Sequence, residues 1–408
     1  KPMFTPLTLP NGSRLTNRLA KAAMEENLAA PGQLPGPALW RLYRYWAEGG
    51  AGLIITGNVM IDGRAMTGPG GVVLEQDTPL APFETWAKAA RQGGAQVWMQ
   101  LNHPGRQVMA NMGGNAWAPS AIPLAMGKHS KLFAQPQAMD KTQIAEVIAR
   151  FAASAHAAER AGFTGVEIHA AHGYLISQFL SPLTNQRNDR WGGELANRAR
   201  LLLEVVRAVR ERVSPGFCVA VKLNSADFQR GGFSSDDARQ VVLMLNDLPV
   251  DLIELSGGSY ESPAMQGETA DGRTLAREAY FLSFARDLAA VARMPVMTTG
   301  GIARPSVAQR VLDSGVAVAG IATAMAEVPD LPRRWQTGAA PHALPAPVTW
   351  RSKAMASLAR MALVKRRMRA LSDNRPRNVR YSPLFTLIVD QWRTRRILQR
   401  YHAWLRQR

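Results

Sequence analysis

The sequence predicts an α/β protein, a (β/α)8 TIM barrel with a basic, mostly helical C-terminal extension. Three observations carry this: eight short apolar or β-branched runs before residue 338, helical patterns between them, and polar residues gathered where the runs end. The predicted strands are 19–23, 52–60, 96–102, 165–171, 218–224, 252–257, 295–301 and 317–323. GLIIT, PVMTT and AVAGIAT are apolar on successive residues, as expected of parallel strands covered on both faces. Among the intervening segments, KTQIAEVIARFAASAHAAERAG at 141–162 repeats its apolar residues at helical spacing and stops at Gly162. ELANRARLLLEVVRAVRERV at 194–213 and SSDDARQVVLMLNDL at 234–248 do the same, the latter opening on capping residues. A doubly wound open sheet would place a Gly-rich phosphate loop after its first strand, where MEEN stands at 24–27.

Of the 408 residues, 46% are hydrophobic and 20% charged, a globular composition that excludes a mostly disordered chain. One cysteine, Cys218, excludes an intramolecular disulfide framework, a four-cysteine zinc site and a cysteine-ligated iron–sulfur cluster. No run reaches the roughly 20 apolar residues of a membrane span, and KPMFTPLTLP lacks the apolar core of a signal peptide. A cytoplasmic location is the expectation.

The formal charge of +18 is unevenly placed. Residues 350–408 hold 14 Arg and 2 Lys against 2 Asp, a net of +14, which leaves +4 for everything before them. The organisation read from this is a barrel over 1–338, a Pro/Ala-rich linker over 339–349 and a basic extension over 350–408. In the extension, 352–371 reads as an amphipathic helix with Met355, Leu358 and Ala362 on one face. A second helix over 384–405 carries Leu387, Ile388, Trp392, Ile397, Tyr401 and Trp404. Three readings compete: a hairpin packed on the barrel or on a second copy of the chain, peripheral contact with the anionic inner face of a membrane, and non-specific nucleic-acid binding. The last lacks any recognisable binding module, so nucleic acid is not the expected partner.

Chemistry in such barrels gathers at the C-terminal ends of the strands. There stand Glu25 and Glu26, Asn58, Gln100 with Asn102 and His103, His169 and His172, Lys222 with Asn224, and Ser256, with glycine pairs at 257–258 and 300–301. TTGGI at 298–302 and GIATAM at 320–325 end adjacent strands in small residues, which lets backbone N–H groups approach a phosphate, although tight turns explain such glycines equally. His169 and His172 could be satisfied core histidines. They do not follow the helical zinc pattern, because no Glu comes after the first, and no metal is expected. As a pair at a strand end they suit a substrate oxygen that gains negative charge.

EIHAAHGYLISQFLSPLTNQRNDRWGGELANR at 167–198 resembles the Old Yellow Enzyme family of FMN-dependent oxidoreductases, whose members carry His-x-x-His-Gly-Tyr-Leu ahead of Asn-x-Arg-x-Asp and Gly-Gly. FTPLTLPNGSRLTNR, GGAGLIIT, QLNHPGRQ and APSAI extend the resemblance over residues 3–337. It implies FMN across the strand ends, with its phosphate at Gly300, Gly301, Ala322 and Thr323. Ala22, Ala23 and Met24 would pass beneath the ring, Glu25 would lie near its C4 oxygen, and Asn58 would be close by. Gln100 would bond the pyrimidine edge, and Lys222 would be the cation beside N1 and O2. The implied activity takes electrons from NADPH or NADH. It reduces the C=C bond of an α,β-unsaturated carbonyl, or a quinone-like acceptor, by hydride transfer from flavin N5. His169 and His172 would hold the substrate oxygen while Tyr174 supplies the proton. The alternative is a catalytically impaired flavin barrel that serves as a membrane or partner scaffold through its tail. Three positions depart from the commoner pattern: Glu25 for Thr or Cys, Thr323 for a phosphate-gripping Arg, and Lys222 for Arg. A lowered flavin potential and weaker FMN binding are the expected consequences. Arg187 and Asp189 are read as ties for the loop after the fourth strand, and Arg106 and Trp117 as parts of a segment covering the site.

Overall fold

The computed structural model describes residues 2–227, 229–257, 272–376 and 379–408, with 272–279 described by backbone alone. Gly258 of the first glycine pair lies outside the described residues. Eight parallel strands close into a barrel: β1 (Leu19–Lys21), β2 (Leu53–Ile55), β3 (Gln96–Asn102), β4 (Gly165–Ala170), β5 (Cys218–Asn224), β6 (Leu252–Ser256), β7 (Val296–Thr299) and β8 (Val318–Ile321). Each pairs with the next, and β8 closes on β1 through Gly320↔Ala20. The outer ring includes α1 (Pro37–Ala47), α2 (Ala81–Arg91), α3 (Lys141–Ala161), α4 (Arg200–Arg212), α5 (Ser235–Leu245), α6 (Gly272–Val291), α7 (Pro305–Asp313) and the short α8 (Ala324–Glu327).

Strand alternation decides what faces the lumen. Cys218, Ala220, Trp98, Leu252, Met297, Val318, Ala20, Ala22, Leu53 and Ile55 form one interior cluster. Their neighbours Val97, Met99, Val219, Val221, Val166 and Ile168 join the cluster packed against the helices. An antiparallel pair, Leu7–Thr8 with Arg14–Leu15, supplies Leu9 and Leu15 to the interior cluster and plugs the lower end. Two residues further along the same strands the lumen turns polar, at Gln100, Glu167, Lys222 and Glu254.

The predicted run 52–60 is two strands rather than one. β2 stops at Ile55, and Val59–Met60 pairs separately with Leu101–Asn102. Gly57 causes the break: its N–H points at the Glu26 carboxylate (3.3 Å) and the Tyr43 hydroxyl (3.0 Å), and a Cβ there would sit 2.1 Å from Glu26 Oε1.

The extension forms two helices, α9 (Lys353–Ser372) and α10 (Pro383–Arg406), both packed on the barrel. Arg41 Nε donates to Ser372 O at 2.7 Å, Ser372 Oγ donates to Ala38 O at 2.8 Å, and Arg367 pairs with Glu327 at 3.3 Å. α10 then crosses the rim of the barrel mouth. Arg393 and Arg400 donate to the Asn27 and Ala29 carbonyls at 3.0 and 2.6 Å, and Tyr401 donates to Gly63 O at 2.6 Å among Met60, Met66, Val73, Val108 and Met112. The packing face of α9 differs from the sequence reading. Ala356, Ala359 and Ala362 are buried because small side chains allow close approach, whereas Met355 and Leu358 point outward. On α10, Leu387, Ile397 and Tyr401 are buried, while Ile388 and Trp392 are exposed.

Candidate active site

Beyond β4 the chain turns sharply through His172 (φ 60°) and Gly173 (φ 74°), two left-handed residues in succession. The His172 conformation is held from both sides. Its N–H donates to Asn224 Oδ1 at 3.0 Å, and its ring Nε2 lies 2.6 Å from Ser256 Oγ. Asn224 and Ser256 end β5 and β6, so three strands fix one imidazole. His169 Nδ1 accepts the Ala171 N–H at 3.2 Å, which places the proton of the neutral ring on Nε2. The two imidazoles stand edge to face at 5.0 Å between centroids, and Tyr174 stands edge to face with His169 at 4.9 Å.

Burial holds His169, only 3% exposed, well below the usual imidazole pKa, with His172 and Lys222 adding to the effect. The protein around His172, and then Lys222, lower that ring to about 4, although one edge of it faces the open mouth. Burial, then the Glu25 carboxylate, raise the Tyr174 phenol to about 12. At neutral pH the cluster therefore presents two uncharged N–H donors beside a protonated phenol.

Beneath it, register places Glu167 opposite Gln100 and Lys222 opposite Glu254. Gln100 Nε2 donates to Glu167 Oε1 at 2.9 Å, Lys222 Nζ lies 3.5 Å from Glu254 Oε2, and Thr299 Oγ1 donates to that same oxygen at 2.7 Å. Glu254 stays below the usual carboxyl range despite burial because Lys222 and Thr299 favour its charge. Glu167, desolvated and beside Glu254, is pushed well above it.

On the other side of the mouth, Asn58 Oδ1 accepts from Asn102 Nδ2 at 3.1 Å and from Thr67 Oγ1 at 3.3 Å, and Thr67 Oγ1 lies 3.4 Å from Glu25 Oε1. Ala22 and Met24 are buried and Ala23 half-buried, and the Ala22 N–H bonds Ile321 O at 2.8 Å, which seats this segment against β8. Lys21, not singled out from the sequence, and Glu26, noted there only as a strand-end polar residue, anchor it from the outer side. Lys21 Nζ donates to Ile55 O at 2.7 Å, 4.3 Å above the Trp46 ring, while Tyr43 donates to the Glu26 carboxylate. At the ends of β7 and β8, Gly300 (φ 146°) and Gly301 (φ 64°) adopt backbone angles that favour glycine, beside half-buried Ala322 and exposed Thr323. A Cβ at Gly320 would meet Thr299 Oγ1 at 2.3 Å, so these two strand ends touch.

These residues fit FMN. A buried amide and a buried cation lie in the lumen layer, Asn102 Oδ1 is buried with no donor among the described residues, and a glycine turn lies at the rim. The family model described as NADH:flavin oxidoreductase / NADH oxidase matches residues 2–341. The chain belongs to this family, the Old Yellow Enzyme family. As a member it is an oxidoreductase that uses FMN and a nicotinamide reductant. The NADH-dependent flavin oxidoreductase iliE of Hypocrea jecorina (strain QM6a) is 38% identical over 350 residues, covering 80% of this chain and 87% of that protein. An old yellow enzyme homologue from Zymomonas mobilis superposes with a TM-score of 0.72 at 26% identity, covering 85% of this chain and 95% of its own. Morphinone reductase in complex with tetrahydroNAD gives 0.70 at 26% identity, covering 85% and 93%.

Arg187 and Arg106 tie together the loops that follow β3 and β4. Arg187 grips Asp189 at 2.6 Å and donates to the Pro119 and Met139 carbonyls at 2.9 and 2.7 Å. Arg106 donates to Ile122 O at 2.8 Å, and Trp117 stacks over His103 at 6.4 Å. Glu167, Glu254 and Thr299 were missed as site residues. The available signal was strand alternation, since each lies two residues from another lumen-facing position.

Proposed function

We propose that the protein reduces the C=C bond of α,β-unsaturated carbonyls and similarly electrophilic acceptors, with His169 and His172 binding the substrate oxygen and Tyr174 protonating the α-carbon. The observation that carries this reading is the edge-to-face trio: two imidazoles kept neutral, His169 by burial and His172 by the surrounding protein and Lys222, beside a tyrosine kept protonated. FMN, when bound, would supply the two-electron chemistry, with electrons from the nicotinamide delivered as hydride to the β-carbon. As that happens, charge moves onto the substrate oxygen, where preplaced N–H donors stabilise the transition state more than the ground state. His169 offers Nε2–H; a hydroxyl donated by Ser256 to His172 Nε2 leaves Nδ1–H of that ring for the substrate. Tyr174 arrives loaded because its pKa lies far above neutrality. NADH is proposed as reductant, following the names of relatives such as iliE.

Ala22, Ala23, Met24, Glu25, Asn58, Gln100 and Lys222 are proposed to surround the flavin ring, and Gly300, Gly301, Ala322 and Thr323 to hold its phosphate. The outward face of α10, with Leu384, Ile388 and Trp392 exposed and Arg395 and Arg396 beyond them, is proposed to rest on an anionic membrane surface. A second copy is the weaker occupant, because pairing would oppose two tails of +14. Anaerobic mixing with NADH, then with cyclohexenone, tests the enzyme reading: flavin bleaching followed by reoxidation supports it, and bleaching with no turnover of any enone, nitroalkene or quinone refutes it. Co-sedimentation with phosphatidylglycerol vesicles but not phosphatidylcholine vesicles, lost in Trp392→Ala, tests the tail; dimerisation without vesicle binding refutes the membrane assignment.

A further inference from the structure

The polar lumen layer holds more ionisable groups than substrate reduction uses. Lys222 contributes one positive charge, and Glu254, ion-paired at 3.5 Å and given a hydroxyl by Thr299 at 2.7 Å, contributes one negative charge. Glu167 is as fully buried as Glu254 and takes the Gln100 amide on Oε1. Each carboxyl keeps one buried oxygen, Glu167 Oε2 and Glu254 Oε1, with no hydrogen-bond donor among the described residues. One cation in the layer serves two fully buried carboxyls, so only one of them is ionised; the pair holds one proton and, with Lys222, the set is neutral.

We propose that the Glu167–Glu254 pair is a proton-holding site that takes up one further proton from solvent when FMN gains two electrons. The proposal rests on the flavin lying beside Lys222, as assigned above. Reduction places negative charge on the edge facing that cation, so Lys222 then stands between two anions. A buried set with an uncompensated charge is costly. A proton on the second carboxyl restores neutrality and frees Lys222 for the cofactor.

The balance closes without another reagent. NADH gives two electrons and one proton as hydride and leaves as NAD+, while water supplies the second proton to a carboxylate oxygen of the pair. Among the described residues the charged group facing the pair is Lys222 from β5; Lys21 of β1, held with Glu26 on the outer side of that strand, acts from further off. His172 faces Glu254 as a neutral ring, and Gln100 and Thr299 donate without titrating. Lys21 opposes the uptake by favouring the carboxylate, and its own burial lowers it to about 8.

Potentiometry of the holoenzyme at a series of pH values around neutrality counts protons taken up per two electrons. The native enzyme should take up two, and the double variant Glu167→Gln/Glu254→Gln one, because only then is no carboxylate left beside Lys222 to take the second. One proton in the native enzyme overturns the proposal, as do two in a double variant that keeps the bound-flavin spectrum, since the second would then reside on the flavin. If the double variant does not fold, the absorption spectrum of the reduced native enzyme decides: two protons with anionic reduced flavin support the proposal, and two with neutral reduced flavin overturn it. A native protein that refuses FMN refutes the cofactor assignment instead, a separate and visible result.

Discussion

Two layers of the same lumen respond to burial in opposite ways. The upper layer, His169, His172 and Tyr174, contains no partner of opposite charge in contact among the described residues, and desolvation, with Lys222 acting on both imidazoles, favours the neutral form of all three. The layer below is more deeply buried yet keeps a cation and a carboxylate, because Lys222 and Glu254 sit at 3.5 Å and Thr299 supplies a donor. Desolvation sets the default, and a contact partner overrides it. The upper layer thereby suits donors that must not bind anions too early, and the lower one suits a fixed field under a cofactor.

The largest expected effect breaks the upper layer. Tyr174→Phe should lower turnover of weakly activated enones by about 10²–10⁴-fold while leaving flavin reduction by NADH intact. Stopped-flow of the two half-reactions separates these, and an unchanged oxidative half-reaction removes Tyr174 from the mechanism. His169→Ala should cost about 10²–10³-fold in kcat for enones by removing one oxyanion donor.

In the lower layer, Lys222→Met strands a buried carboxylate and should destabilise the apoprotein by about 3–5 kcal/mol in urea, whereas Glu167→Gln, which replaces a neutral carboxyl, should cost under about 1 kcal/mol. Equal losses would mean that Glu167 is also ionised. A pH-dependent effect, smaller than the Lys222→Met loss, concerns His103, fully buried against Trp117 and lowered to about 4 by desolvation. Its folded pKa lies below the unfolded value, so the stability it contributes is complete above about pH 6.5 and is lost as pH falls toward 4, by on the order of 2–3 kcal/mol. Urea midpoints of native and His103→Gln protein across that window check the sign: the variant should lose less.

The barrel was legible because eight runs differ from their surroundings in composition and spacing, and the imidazole pair because it sits where a strand ends. The carboxyl pair was not legible: Glu167 and Glu254 stand inside apolar strands, and β5 separates the two in the sheet. Ile55 and Val59 read as one run because periodicity does not see Gly57 drawn aside by Glu26 and Tyr43. In α9 the hydrophobic pattern pointed to the larger residues, whereas close packing selected Ala356 and Ala359. Helical periodicity finds an apolar stripe but does not say which edge of it a neighbour covers.

The left-handed backbone at His172 limits how this mouth can be re-engineered. Most residues would bear about 1–2 kcal/mol of strain at φ 60° before contributing any new contact. Asn is one of the few side chains that tolerates this conformation and still carries an N–H donor. Libraries aimed at new acceptors should therefore offer Asn at position 172 and spend their diversity elsewhere around the rim.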